Sequence, residues 1–168
     1  MAGVRRIEER VSVDAPPSRV FVWLDDPRNT GWHMNRRSFA MAGASLRVAQ
    51  LSEHATGEGA TYRSSGRMLG LRIDFTTTVV RWVENEEKVW RTIGEPHLVV
   101  IGHFEMRFTT TAFEGGTRLI LSLDYDFPTS WFGRRLGWLL AGPYARWCVR
   151  RIINDVLAKF GGHHGQSK

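Results

Sequence analysis

Cysteine is almost missing from this chain: Cys148 stands alone among 168 residues. No disulfide can form within the chain, and nothing points to an oxidising compartment. Long hydrophobic runs are missing too. The opening MAGVRRIEER carries no apolar stretch of the signal-peptide kind. The most apolar helical stretch, Leu136 to Val149, is broken by Gly142, Pro143 and Arg146. It falls well short of the ~20 uninterrupted apolar residues that span a bilayer. A cytoplasmic protein with no integral membrane segment is expected.

The sequence is equally poor in motifs that carry chemistry. There is no Gly-x-Ser-x-Gly elbow, no dinucleotide or P-loop glycine spacing and no His-Glu-x-x-His. His33, His54, His97 and His103 are scattered, and neither a cysteine pair nor a carboxylate joins them at metal-ligand spacing. No metal and no cofactor are expected. Zinc-finger spacing, basic-zipper heptads and an RNA-binding aromatic strand motif are also absent, so nucleic acid is not an expected partner.

Aromatic side chains are abundant by contrast, with seven Trp, nine Phe and three Tyr. A chain of this size and apolar content folds as one domain around a sizeable core. Its charge is +6, from 23 Lys+Arg against 17 Asp+Glu. Much of the excess is local: Arg134, Arg135, Arg146, Arg150, Arg151 and Lys159 face Asp155 alone between Trp131 and Phe160. Arginine stems cover apolar surface while their charge stays in water, so a solvated face explains this run. An acidic partner, a membrane surface or a homodimer contact are the other readings.

The order of elements follows from periodicity. Val4 to Val13 reads as a strand, and Pro16-Pro17 then open a short helix with Val20, Phe21 and Leu24 as its apolar stripe. Asp25-Asp26-Pro27 stops that helix, and a second turn spans Asn29 to Met34. Further on, apolar and polar residues alternate. Leu71, Ile73, Phe75, Thr77 and Val79 oppose Arg72, Asp74, Thr76 and Thr78, while Phe104, Met106 and Phe108 oppose His103, Glu105 and Arg107. Leu119, Leu121, Leu123 and Tyr125 form a third such set. Alternation of this kind means one covered and one wet sheet face, and the short Gly-rich turns between runs imply antiparallel meandering. After Trp131 the period changes to three and four residues, the signature of one long amphipathic helix that Pro143 should kink or interrupt. Gly161-Gly162 end it, and residues 161–168 read as a disordered tail behind a single domain of residues 1–160.

This order, with Val11-Ser12-Val13-Asp14-Ala15-Pro16-Pro17-Ser18-Arg19-Val20-Phe21-Val22-Trp23 at its start, resembles the START-like (SRPBCC) superfamily, in particular its polyketide cyclase/dehydrase and lipid-transport branch. Trp82 before a Glu-rich turn, Trp90-Arg91, the Phe104 strand and Thr117-Arg118-Leu119 agree with it, and the likeness runs from about Arg5 to Phe160. It implies an α+β helix-grip fold: a curved seven-stranded antiparallel sheet around a long C-terminal helix, with an apolar tunnel between them. By position the tunnel would be lined by Phe75, Phe104, Met106, Phe108 and Leu121, and by the helix face from Leu136 through Leu140 to Tyr144. The two-His-one-carboxylate iron site of ring hydroxylases has no counterpart here. The expected function is binding or transport of a hydrophobic, lipid-like or aromatic polyketide-like molecule. The alternative is a cyclase, aromatase or dehydratase that works by confining its substrate.

Trp32 and Met68 join these residues as candidate ligand contacts, since aromatic and methionine side chains line adaptable apolar pockets and ordinary cores alike. Tyr144, on the last helix, could orient a ligand carbonyl or hydroxyl. His33, beside Trp32, is the candidate acid-base at a pocket mouth because an imidazole titrates near neutral pH.

Overall fold

The computed structural model describes residues 4–30, 45–68 and 70–164, with the side chains of Ser45, Met68 and Phe132 outside that description. The first strand, β1 (Arg5–Val13), leads into helices α1 (Pro17–Asp25) and α2 (Pro27–Thr30). A run of strands follows: β2 (Ser45–Gln50), β3 (Thr61–Met68), β4 (Leu71–Val83), β5 (Glu87–His97), β6 (Phe104–Phe113) and β7 (Gly116–Tyr125). Helix α3 (Trp131–Phe160) and strand β8 (Gly162–His164) close the chain. All strands join one antiparallel sheet in the order β2-β3-β4-β5-β6-β7-β1-β8.

The alternating sets set the sheet's two faces. Ile73, Phe75, Thr77 and Val79 are buried on β4, with half-buried residues between them. On the opposite face, ion pairs such as Arg63–Asp74 and Arg6–Asp124 lie in water. Register breaks between Asp74 and Thr76 and between Val79 and Arg81 add the local bends that curl a sheet of this width. The buried face is covered twice. Val20, Phe21 and Leu24 of α1 pack at one end, and Ala145, Val149, Ile152, Ile153 and Val156 of α3 pack across β1 and β7.

Two expectations about the chain's end need correction. The sheet has eight strands rather than seven, because Gly162–His164, expected to be part of a disordered tail, pairs with β1 through Val11↔His164 and Val13↔Gly162. Glycine makes this return possible. Gly162 holds φ +129, and a Cβ there would sit 2.1 Å from the Ser12 carbonyl oxygen. Residues 165–168 lie outside the described residues.

Pro143, expected to kink or interrupt the last helix, stands inside α3 without ending it. The carbonyl that it leaves without a donor is that of Leu139, four residues earlier. Leu139 and Pro143 both face solvent, so water can take over that bond.

Candidate functional site

Sheet and helix do not meet everywhere. Between them lies a cavity of about 110 Å³. Its sheet wall is built from alternate residues of six strands: Leu46 and Val48 on β2, Tyr62 and Ser64 on β3, Phe75 and Thr77 on β4, Trp90 on β5, Phe104 and Met106 on β6, and Leu123 on β7. Tyr144, Cys148 and Ile152 of α3 form the opposite wall, one helical turn apart. Leu98, Ile101, Pro27 and Thr30 complete it. The residue spacing follows directly from side-chain periods of two on strands and about four on a helix.

Of the residues picked out from sequence, Phe75, Phe104, Met106 and Tyr144 line this cavity. Phe75 and Phe104 meet edge to face at 5.7 Å. Phe108 and Leu121 do not line it. They point to the same sheet face but lie under α1, where Phe108 packs against Phe21 at 5.3 Å, and both are fully buried core residues. Leu136 and Leu140 are not part of it either. Leu140 is 43% exposed, because this part of α3 turns Gly133, Gly137 and Ala141 inward instead. Trp32 and His33 lie outside the described residues, as does the side chain of Met68.

Among the described residues no charged side chain lines the cavity, and its polarity comes from hydroxyls and the Cys148 thiol. Tyr62 and Thr77 face each other across the β3–β4 ladder. Tyr62 is 7% exposed, and its hydroxyl is buried with no hydrogen-bond partner among the described residues. An unpartnered buried hydroxyl loses its bonds to water without replacement, and at the cavity wall it is placed to bond what fills the space. Burial raises the Tyr62 pKa, and the carboxylates of Asp25 and Asp26 raise it further.

On the helix wall, the Tyr144 phenol and the Cys148 thiol lie one turn apart and interact, and the Tyr144 ring stacks on Trp147 at 6.3 Å. Burial lifts the Tyr144 phenol well above its ordinary range, and it pushes the Cys148 thiol up to about 12. At neutral pH all three groups are therefore protonated.

Sequence reading passed over an ion pair behind this wall. Lys88 points inward from β5, two residues before Trp90. Its Nζ donates to Asp25 Oδ1 at 2.6 Å and to the Asp25 carbonyl at 2.7 Å. The two side chains are only 5% and 9% exposed. Desolvation lowers the Lys88 pKa, and Asp25 opposes that shift. The ammonium lies 5.5 Å from the ring centroid of Trp90, which itself lines the cavity. The signal for this pair was alternation itself, since Lys88 shares a face with Trp90 and Thr92.

Among the described residues, no three His, Cys, Asp or Glu side chains gather as a metal site. No described helix is long and apolar enough to cross a membrane.

A curved antiparallel sheet gripping a C-terminal helix, with a largely apolar space between them, defines a helix-grip protein with an internal cavity. The chain belongs to the polyketide cyclase / dehydrase and lipid transport family, whose sequence profile matches residues 4–163. Solved structures share the fold. The Zhui aromatase/cyclase from a Streptomyces strain superposes with a TM-score of 0.71 at 16% identity, over 94% of this chain and 93% of that one. A Thermus thermophilus protein matches with a TM-score of 0.61 at 19% identity, over 94% and 99% of the two chains. The major latex-like protein 151 of Panax ginseng matches with a TM-score of 0.61 at 9% identity, over 94% and 97%. No curated protein sequence matches the chain.

Proposed function

We propose that this protein binds a hydrophobic small molecule between sheet and helix, with the Tyr62 hydroxyl orienting a polar group on it. The Tyr62 hydroxyl, buried at a largely apolar wall with no partner among the described residues, carries this reading. Apolar area supplies affinity in such sites, and one or two placed polar groups supply orientation. The size of the space limits what is buried. At about 110 Å³ it lies below the ~300–1,000 Å³ of drug-sized ligand sites and close to the ~150 Å³ that holds a benzene ring. The buried part of the ligand is then a single ring or a short alkyl chain.

Family membership and the Zhui aromatase/cyclase fold keep confinement of a polyketide-like substrate as the second reading. Among the described residues, the titratable groups lining the cavity are Tyr62, Tyr144 and Cys148, all with raised pKa values, so at neutral pH these three donate hydrogen bonds but do not accept protons as bases, which supports binding as the first reading. A lone reduced Cys148 supports a cytoplasmic setting. The cavity lining, uncharged among the described residues, supports a small-molecule partner rather than a nucleic acid.

Ethylbenzene and acetophenone, matched in shape and differing by a carbonyl, test the reading by calorimetric titration. Both should bind, and wild type should prefer acetophenone by up to about tenfold, the worth of one neutral hydrogen bond. Tyr62→Phe should remove that preference and leave ethylbenzene binding unchanged. If neither compound binds, or if the substitution weakens both equally, the proposal fails.

A further inference from the structure

The first half of α3 is built inside out. Its small residues Gly133, Gly137 and Ala141 are buried, and Gly137 sits so close to the body that a Cβ would lie 2.9 Å from the Val100 carbonyl oxygen. Its large apolar side chains face water: Trp131 is 71% exposed, Trp138 69% and Leu139 64%. At 100° per residue, Trp131, Arg135, Trp138, Leu139 and Arg146 fall within an arc of roughly 100°, and they extend along about 22 Å of helix.

Charge on this face has one sign. The Arg135 guanidinium lies 4.9 Å from the Trp131 ring centroid. Arg134, Arg135 and Arg146 form no ion pair with any described residue, whereas Arg150 is bound to Glu9 and Arg151 to Asp155. Asp155 is the only carboxylate of the helix. Beyond Leu139 the face continues into a surface groove of about 450 Å³ bordered by Arg146, Arg150, Arg151 and Asn154. This is room for a phosphate-sized group among guanidinium donors.

We propose that this face docks on an anionic lipid bilayer, with Trp131, Trp138 and Leu139 at the headgroup–acyl boundary and Arg134, Arg135 and Arg146 against lipid phosphates. Tryptophan settles at that depth, and a basic amphipathic helix lying in the interface gains from both apolar burial and anionic charge. A second copy of the chain fits less well, because a two-fold contact sets each patch against itself and brings the unpaired arginines together. Nucleic acid would use the arginines and leave the exposed leucine without a role. The docking does not depend on what the cavity holds.

Flotation with phosphatidylcholine vesicles, with and without about 30 mol% phosphatidylglycerol, tests it at about 0.1 M salt. The protein should float with the anionic vesicles and bind neutral ones at least tenfold more weakly. Each arginine contributes about fivefold near an anionic surface, so Arg134→Glu with Arg135→Glu should weaken binding by tenfold or more. Trp138→Ser with Leu139→Ser should weaken binding as well. All four side chains are exposed, so the melting temperature should stay at the wild-type value, and Trp131→Ser serves as an independent variant if either pair fails to fold. Absence of flotation overturns the proposal, as does equal binding to neutral vesicles. So does a wild-type dimer in solution that these substitutions dissociate, or tighter binding to duplex DNA than to anionic vesicles.

Discussion

Breaking the Lys88–Asp25 pair should destabilise the protein far more than any surface ion pair. Both side chains are almost fully buried, and Lys88 Nζ holds the Asp25 carboxylate and the last carbonyl of α1 together. Asp25→Asn leaves an uncompensated ammonium, and Lys88→Met leaves an uncompensated carboxylate. Each should cost about 3–5 kcal/mol, the usual penalty for orphaning a buried charge. At ~2–4 °C per kcal/mol for a chain of this size, the melting temperature should fall by roughly 6–20 °C. Replacing both, as Asp25→Leu with Lys88→Met, should recover most of the loss, because the costly state is the unpaired charge and not the missing pair. The pH dependence has a definite sign. Burial lowers the Lys88 pKa, so between the folded and the unfolded pKa the native state binds fewer protons than the unfolded chain. Stability therefore rises with pH across that window. Without Asp25 to hold the proton, the folded pKa falls further, and the deficit of Asp25→Asn should shrink as pH is raised from neutral toward 10. Urea unfolding at several pH values measures this directly. Single lesions costing under about 1 kcal/mol, a double variant as unstable as the sum, or a deficit that grows with pH would each refute the reasoning.

Cys148, with its thiol pushed up to about 12, should resist iodoacetamide at pH 8 in the folded protein and react as the chain unfolds. Rapid labelling of the native state would contradict its burial. Asp74 is held down at about 2, first by a hydrogen bond from Arg63, against 3.8 for a free carboxyl. Its stabilisation is therefore present above the unfolded value and lost as pH falls through about 2. Because the pair lies on the wet sheet face, Arg63→Ala should lower stability only slightly at pH 6, with the two stability curves converging near pH 2. A difference undiminished at that pH would show that the effect is not the ion pair. Gly162→Val should detach β8, since its Cβ would collide with the Ser12 carbonyl oxygen. Hydrogen exchange at residues 162–164 should then lose protection, and retained protection would refute the glycine argument.

Much of the fold was written in the sequence as alternation. Ile73-Asp74-Phe75-Thr76-Thr77 shows a face-by-face pattern that survives intact as the buried and half-buried residues of β4. Strand β8 has no such pattern. Gly162, His163 and His164 bury nothing, and their pairing with β1 is a matter of backbone geometry allowed by two glycines. Hydropathy cannot register a strand that is held only by its ladder. That Pro143 leaves the helix unbroken was hidden for a related reason: a break depends on whether water reaches the freed carbonyl, which sequence periodicity does not show.

The cavity was harder to read because periodicity names a face but not what covers it. Phe104, Met106 and Phe108 are one alternating run on β6, yet only the first two border open space. Phe108 meets Phe21, and the edge of that contact is where α1 ends and the space begins. The grip is thus filled at one end by a helix that carries a phenylalanine, and among the described residues the space lies beyond it, where Tyr62, Ser64 and Thr77 share the lining with Tyr144. A polar strand such as Thr61-Tyr62-Arg63-Ser64 scores poorly as a buried element. Its inward residues show themselves only once Arg63 is seen turned outward onto Asp74, 2.7 Å away. The same holds for Lys88, whose neighbour Val89 is buried on the opposite face between Arg81 and Arg107. In β5 the charged residue goes in and the valine is covered by arginine stems, an inversion that an apolar-in, polar-out rule reads backwards. The polar end of the cavity is built where that rule fails, and it is there that ligand selection should be sought.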